Sequence, residues 1–552
     1  MQRATNLLIA LILCSTFAFS APPGRITRPI DTRQTVTLTG HVSPRAVATY
    51  DQGEADPALE LDHVMLMFKP SASQQADLDR LLSDQQNPSS PNFHQWLTPE
   101  EFGDRFGLSP GDNSKVVAWL KSEGFAIQDQ ARGRNWIAFR GTVAQVSRSL
   151  HTPIHRFEMN GEKHFANTAD PAIPAALADV AGGFLGLNDF NPKPGVKTVS
   201  QADYNVGANH YLAPEDFATI YDLNPLYQAG FDGTGQSIVV VGASTILLSD
   251  VRAFRTRYGL PDNDPQLVPY TPVTNINTEG NLDVEWSGAV APKATIYYVY
   301  GTSAFTAMTF AVNNNIAPVI TNSYYGCEDD VGPLLYRAMM QQANAQGITI
   351  LSASGDGGAA GCFDQFDEYA THGPLLQFPA ALPEVTAVGG TEFNEGTGTY
   401  WRTSNDTNLG SAISYIPEVV WNESSPGVNV AASAGGPSAL YAKPLWQTGP
   451  GVPNDNARDI PDIALSAAGH DAYYIVYNGN NTAVYGTSAA APSMSGILAI
   501  LNQYQVAKGY QKKAGLGNIN PQIYRLSQAA PSAFHDIVTG NNMVPCAQGS
   551  PG

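Results

Sequence analysis

Four side chains in this sequence have the types and settings needed for chemistry on a carbonyl group. Ser488 stands in VYGTSAAAPSMSG (484–496), between Gly-Thr and a run of alanines closed by a proline. That setting puts a serine hydroxyl at the start of a buried helix, where it serves as a nucleophile once a base takes its proton. Histidine is the usual base. The chain has ten histidines, and none is well placed. His372 is followed by Gly-Pro in a loop-like stretch and His470 by Asp, and neither opens a recognisable helix. The others stand before residue 211 or, as His535, near the end.

Carboxylates are the other source of a base. Glu279 and Asp283, in NTEGNLDVEW, are four residues apart; on a helix they share one face, a turn apart. Two carboxylates that close resist double ionisation and share a proton. Such a pair takes a serine proton in acid, where imidazole is already charged. A bare E-x-x-x-D is more often a solvated acidic face, but here Leu282 and Val284 interleave it and an apolar helix and strand follow. Asp356, in SASGDGG, ends the apolar run ITIL between glycines. A carboxylic acid donates to a developing oxyanion only if burial or low pH keeps it protonated; an ordinary turn aspartate is the plain alternative.

These residues need elements to carry them. From about Leu212 onward, short apolar runs (QSIVVVGAS, ATIYYVYG, IAPVITNSYYG, GITILSASGDGG, VTAVGGT) alternate with helical stretches such as VGPLLYRAMMQQANAQ. Apolar strands alternating with helices predict an α/β fold with a mostly parallel sheet covered on both faces, and sites in such sheets collect at strand ends. Before it, residues 61–189 read as a small α+β domain. HVMLMFKP is strand-like, Ser71 and Thr98 are helix caps with Pro99 at a first helical position, and a hairpin turns at Asn160-Gly161. Residues 21–60 lack a period and read as an extended leader. Residues 190–210, with two prolines and two glycines, read as a linker.

Composition narrows the setting. Lys+Arg is 30 against Asp+Glu 49, a net charge of −19, which argues against nucleic acid or an anionic membrane as partner. Only 14% of the 552 residues are charged, so little charge builds up as pH falls, and an acidic medium suits the chain. Residues 1–20 have a basic start, an apolar core from Leu7 to Phe17 and small residues before Ala21; they read as a signal peptide, which predicts a secreted, extracellular protein with no membrane anchor after its removal. Of the four cysteines, Cys14 leaves with the signal. Cys327 and Cys362 flank Gly-rich loops, open either to pairing in an oxidising compartment or to remaining thiols, and Cys546 is left over.

Together the motifs resemble a family. Glu279-x-x-Leu282-Asp283, SASGDGG around Asp356 and GTSAAAP around Ser488 stand in the order and context of the sedolisins, secreted serine-carboxyl peptidases related in fold to subtilisin. QFPAALPEVTAVGGT (377–391), ASAGGPSALYAKPLWQ (432–447) and RDIPDIAL (458–465) fit the same pattern, and NPSSPNFHQWLTPEEFGDRFG (87–107) resembles the pro-kumamolisin activation domain. The resemblance implies a subtilisin-like catalytic domain over 211–552 behind a ferredoxin-like prodomain over 61–189, with a processing site in the linker. It implies a monomeric endopeptidase that acts on proteins or peptides and is held inactive by its own prodomain in cis. Ser488 would be the nucleophile, Glu279 its base, Asp283 the group orienting Glu279 and sharing its proton, and Asp356 the oxyanion donor.

Two regions depart from the family. Some members carry an extra Glu after the first catalytic-domain strand and a Trp before the Gly of Ser-x-Ser-Trp-Gly; here Gly242 or Ala243 and Tyr325 stand near those places. The family also has a C-terminal calcium site. FHDIVTGNN matches its first half, with the Asp536 carboxylate and the Ile537 carbonyl as oxygen ligands. The sequence ends at CAQGSPG with no closing aspartate and a stranded Cys546, so truncation inside the loop and weak or absent calcium binding are expected. The other readings are a histidine-dependent subtilisin relative and a non-catalytic, propeptide-capped binding protein.

Overall fold

The structure, a computed structural model, describes residues 22–159, 161–199, 205–206, 209–330, 332–362 and 368–550. The expected signal peptide, with Cys14, lies outside the described residues.

The small domain is built from β1 (Glu60–Phe68), α1 (Ala72–Gln86), α2 (Pro110–Ser122), β2 (Ala126–Gln130), β3 (Trp136–Thr142), α3 (Val143–Ser149) and β4 (Ala181–Leu185). The strands pair antiparallel in the order β2-β3-β1-β4, the ferredoxin-like arrangement expected. The Ser71 and Thr98 caps close reciprocal boxes with Gln74 and Glu101. β1 shows how the sheet is used on both faces. Val64, Leu66 and Phe68 enter the domain's own core, while Met65 and Met67 join Trp136, Ala138 and Leu185 against the large domain.

The stretch expected as an extended leader, residues 21–60, carries strands and core residues within its described part, 22–60. Thr35–Thr37 pairs antiparallel with Ala172–Pro174, Asp51–Glu54 with Ile154–Met159, and Ile26 and Ala55 are core residues. Strands of three and four residues are too short to display a period in sequence. The stretch 87–107 is a docking surface. Trp96 lies where a Cβ on Gly347 would come within 2.6 Å of its ring, and Leu97 N–H donates to Ala345 O at 2.9 Å.

In the large domain, β7 (Ser237–Gly242), β8 (Gln266–Pro269), β9 (Thr295–Tyr300), β10 (Val319–Asn322), β12 (Thr349–Ala353), β13 (Thr386–Phe393), β14 (Glu418–Val420) and β15 (Ile463–Ser466) form one eight-stranded sheet. Its order is β8-β9-β7-β10-β12-β13-β14, with β15 also on β13, and only the β13–β14 pair is antiparallel. The apolar run of β7 divides between the faces. Ile238 and Val240 pack toward α4 (Thr278–Val290) and α7 (Thr487–Ala507), and Val239 and Val241 toward α5 (Ala304–Asn314) and α6 (Pro333–Ala345). Two further strands, β11 (Tyr324–Cys327) and β16 (Asn480–Tyr485), lie outside this sheet. They pair antiparallel with linker strands β5 (Lys193–Pro194) and β6 (Lys197–Val199), respectively. No helix among the described residues is long and apolar enough to cross a membrane.

Candidate active site

Ser488 is the second residue of α7 and fully buried. The turn from β16 into this helix uses Gly486 at φ 126°, and a Cβ there would overlap Asp356 Oδ2, so only glycine fits. Pro492 lies four residues after Ser488 and has no N–H to return to the Ser488 carbonyl; Ser323 Oγ stands 3.5 Å from that freed oxygen. The small residues of the motif let α4 approach closely. A Cβ on Gly496 would sit 2.6 Å from Val290 Cβ, and Ser287 and Ser495 hydroxyls meet at 3.0 Å.

This approach brings the two carboxyls of α4 to the serine. Asn277 caps the helix by accepting from Gly280 N–H at 3.0 Å, and Ser244 Oγ donates to the same Asn277 oxygen at 2.7 Å. Tyr298 Oη, filling the space that the absent Cβ of Gly242 leaves, donates to Ser244 O at 2.8 Å. Glu279 and Asp283 follow one turn apart, fully buried. Glu279 Oε2 accepts from Val196 N–H at 2.8 Å, and Asp283 Oδ1 accepts from Ser323 Oγ at 2.8 Å. Asp356 Oδ1 accepts from Thr487 N–H at 2.8 Å and from Thr487 Oγ1 at 2.9 Å.

Each of the four residues keeps one buried polar atom without a full hydrogen bond: Glu279 Oε1, Asp283 Oδ2, Asp356 Oδ2 and Ser488 Oγ. Buried polar atoms are almost always paired, so four orphans on four neighbouring residues mark a place prepared for something else. Ser488 nonetheless acts on Glu279, stabilising its charged form along with Val196 N–H.

Burial dominates the titration of all three acids. It raises Glu279 to about 8 against the donors just named, and raises Asp356 to about 6 against the Lys197 ammonium and Thr487. Asp283 is pushed well up by burial and then by the charge of Glu279, with Ser323 as opposing donor. With one neutral donor, Asp283 holds its proton more firmly than Glu279, which has Val196 N–H and Ser488 as donors. A carboxyl whose folded pKa exceeds its unfolded one contributes fully below the unfolded value and loses that contribution as pH rises through the folded value. Asp356 and the equally buried Asp216, both about 6, and Glu279 therefore favour the folded chain in acid. The melting temperature of the full chain is expected to fall between pH 4 and pH 8, Asp356 alone accounting for about 3 kcal/mol at ~1.4 kcal/mol per pH unit. A flat or rising melting curve over that range would contradict these burials.

The linker and a processing site in it are expected from the sequence, but its path through the site is not. Lys193 stands opposite Tyr325 and Lys197 opposite Tyr485 in the two short ladders. Between them Gly195 N–H donates to Ser323 O at 3.3 Å and Val196 N–H to Glu279. A Cβ on Gly195 would lie 2.6 Å from Ser488 Oγ and 2.9 Å from Tyr325 Cε1. The Gly195–Val196 peptide thus lies between the serine hydroxyl and the Glu279 carboxyl. In sequence these residues show only Pro and Gly, which signal a loop and not its path.

Other expected residues fall elsewhere. His372 is exposed. His470 binds Asp471 and is raised to about 9 by that hydrogen bond. Neither is hydrogen-bonded to Ser488 Oγ. Cys327 and Cys362 form a disulfide with Cα atoms 5.1 Å apart, tying β11 to the loop after Asp356, and Cys546 is free and exposed. Asp536 is exposed, and among the described residues no cluster of three or more carboxylate, imidazole or thiol ligands includes it.

The chain is similar to known peptidases and their activation domains. The family described as "Pro-kumamolisin, activation domain" matches residues 48–190, taking in the Asp51–Glu54 strand, and the "Subtilase family" matches residues 271–516. Xanthomonalisin of Xanthomonas sp. (strain T-22) is 30% identical over 92% of this chain, which spans 64% of that protein's length. Sedolisin of Pseudomonas sp. (strain 101) is 28% identical over 98% of this chain and 92% of its own. A solved structure of Pseudomonas sedolisin, a serine-carboxyl proteinase complexed with pseudo-iodotyrostatin, superposes with a TM-score of 0.51 at 26% identity, covering 61% of this chain and 90% of that one. Fold and site define the class of subtilase-type serine peptidases with an activation domain. Within that class, the chain belongs to the sedolisin family.

Proposed function

We propose that this protein is a secreted, acid-active serine-carboxyl endopeptidase made as a proenzyme that cuts its own linker. Residues 61–189 with the strands before them act as prodomain, 190–210 as the linker to be cut, and 211–552 as peptidase. The position of the Gly195–Val196 peptide between Ser488 and Glu279 carries the reading.

The chemistry follows from that position. Ser488 Oγ attacks the Gly195 carbonyl carbon as its proton passes to the ionised fraction of Glu279, a minority in acid because burial raises this carboxyl to about 8. Protonated Asp283 orients Glu279 and shares its proton. Asp356, protonated below about 6, donates to the oxyanion. Collapse breaks the carbon–nitrogen bond, and Glu279 returns the proton to the Val196 nitrogen, to which it is already hydrogen-bonded. Water then enters on the side the amine has left and, with Glu279 again as base, hydrolyses the acyl-serine. The disulfide supports an oxidising, extracytoplasmic setting.

Acidifying the purified full chain and sequencing the N-termini of its products tests the proposal. A new N-terminus at Val196 is expected, appearing as pH falls below about 6. A folded chain that stays intact from pH 3 to pH 8 would defeat it.

A further inference from the structure

Beyond the bond that is cut, the linker shows which side chain the cleft receives. Lys197, the second residue on the departing side of the Gly195–Val196 bond, is 8% exposed. Its ammonium donates to Val430 O and stands near the Asp356 and Glu423 carboxyls. A buried ammonium is costly unless it meets acceptors and negative charge, and here the fold supplies both. Glu423 is pinned as an acceptor by Trp421 Nε1 at 2.9 Å, Gly469 N–H at 2.7 Å and His470 N–H at 2.8 Å. Those donors hold its carboxylate in place independently of the linker. Val430 lies in the loop that returns to the Asp356 turn, where Ala432 N–H donates to Asp356 O at 3.1 Å. The backbone partner of Lys197 is Tyr485, three residues before Ser488, so the pocket has a fixed offset from the nucleophile.

We infer that this pocket is a specificity site for a basic side chain, lysine or arginine, at the second position after the cleaved bond. The inference rests on the reading of residues 193–199 as a bound substrate. Polar groups already oriented inside a site discriminate strongly against a side chain that leaves them unpaired. Any extended peptide crossing the serine in this register delivers its second departing-side residue to the same acceptors.

The test uses acid-treated full chain and a set of short peptides with a Gly-Val bond followed by Lys, Arg, Met or Glu. The Lys and Arg peptides are expected to show KM at least about tenfold below the Met peptide, with the Glu peptide poorest. In the full chain, Lys197→Met and Lys197→Glu should delay the first cut about tenfold or more, while Lys197→Arg keeps it near the original rate. If all four peptides are cut with equal KM, or the Lys197 variants mature as fast as the parent, the pocket has no such preference although the peptidase reading stands. If no peptide is cut and the unaltered chain does not cleave itself, the peptidase reading fails and takes this inference with it.

Discussion

Replacing Ser488 by alanine is expected to leave a folded proenzyme that stays intact in acid and cuts no peptide. The change removes one oxygen, which is buried and has no full hydrogen bond. Stability should therefore move little, since only a group with established partners leaves others unsatisfied when deleted. Activity should fall by about 10⁴-fold to 10⁶-fold, the range for loss of a nucleophile whose surrounding site still binds and polarises substrate. Intact mass after acid treatment and the melting temperature measure the two halves separately. Unchanged melting with no fragment at Val196 is the expected pair. A Val196 N-terminus forming at the parental rate, with no other peptidase present, would remove Ser488 from the mechanism.

Glu279→Gln is expected to produce the second large loss, roughly 10⁴-fold in the rate of self-cleavage. Glutamine matches glutamate in shape, and its amide oxygen is able to accept from Val196 N–H as Glu279 Oε2 does. It cannot take the Ser488 proton or return one to the Val196 nitrogen. Asp283→Asn should cost less, because Asp283 acts through Glu279. A second readout separates chemistry from structure. Glu279 is raised to about 8 by burial and so contributes to the fall in stability between pH 4 and pH 8; the glutamine variant should melt with a shallower pH slope. Near-parental cleavage in both variants, together with a dead His470→Ala, would return the base to histidine.

What the sequence by itself determined was whatever depends on near neighbours along the chain. The spacing of Glu279 and Asp283 put both carboxyls on one helical face, and the glycines around Asp356 and before Ser488 marked the turns that end strands at the site. Ser71 and Thr98 announced their helices because a cap acts on residues three further on. The run Ile238-Val239-Val240-Val241 announced a strand buried on both faces, since each side of it enters a different core. Only the tertiary structure decided the rest. Val196 meets Glu279 across 83 positions of sequence, and Ser323 meets Asp283 across 40. Lys197 reaches the Val430 carbonyl across 233. No periodicity or local propensity encodes such contacts, because they form when packed elements bring distant backbone together. The leader strands at 35–37 and 51–54 exist by the same rule, through partners more than a hundred residues away. Asp536 shows the converse: its local motif names a metal ligand, but a calcium site needs six or more oxygens that only the fold is able to bring together.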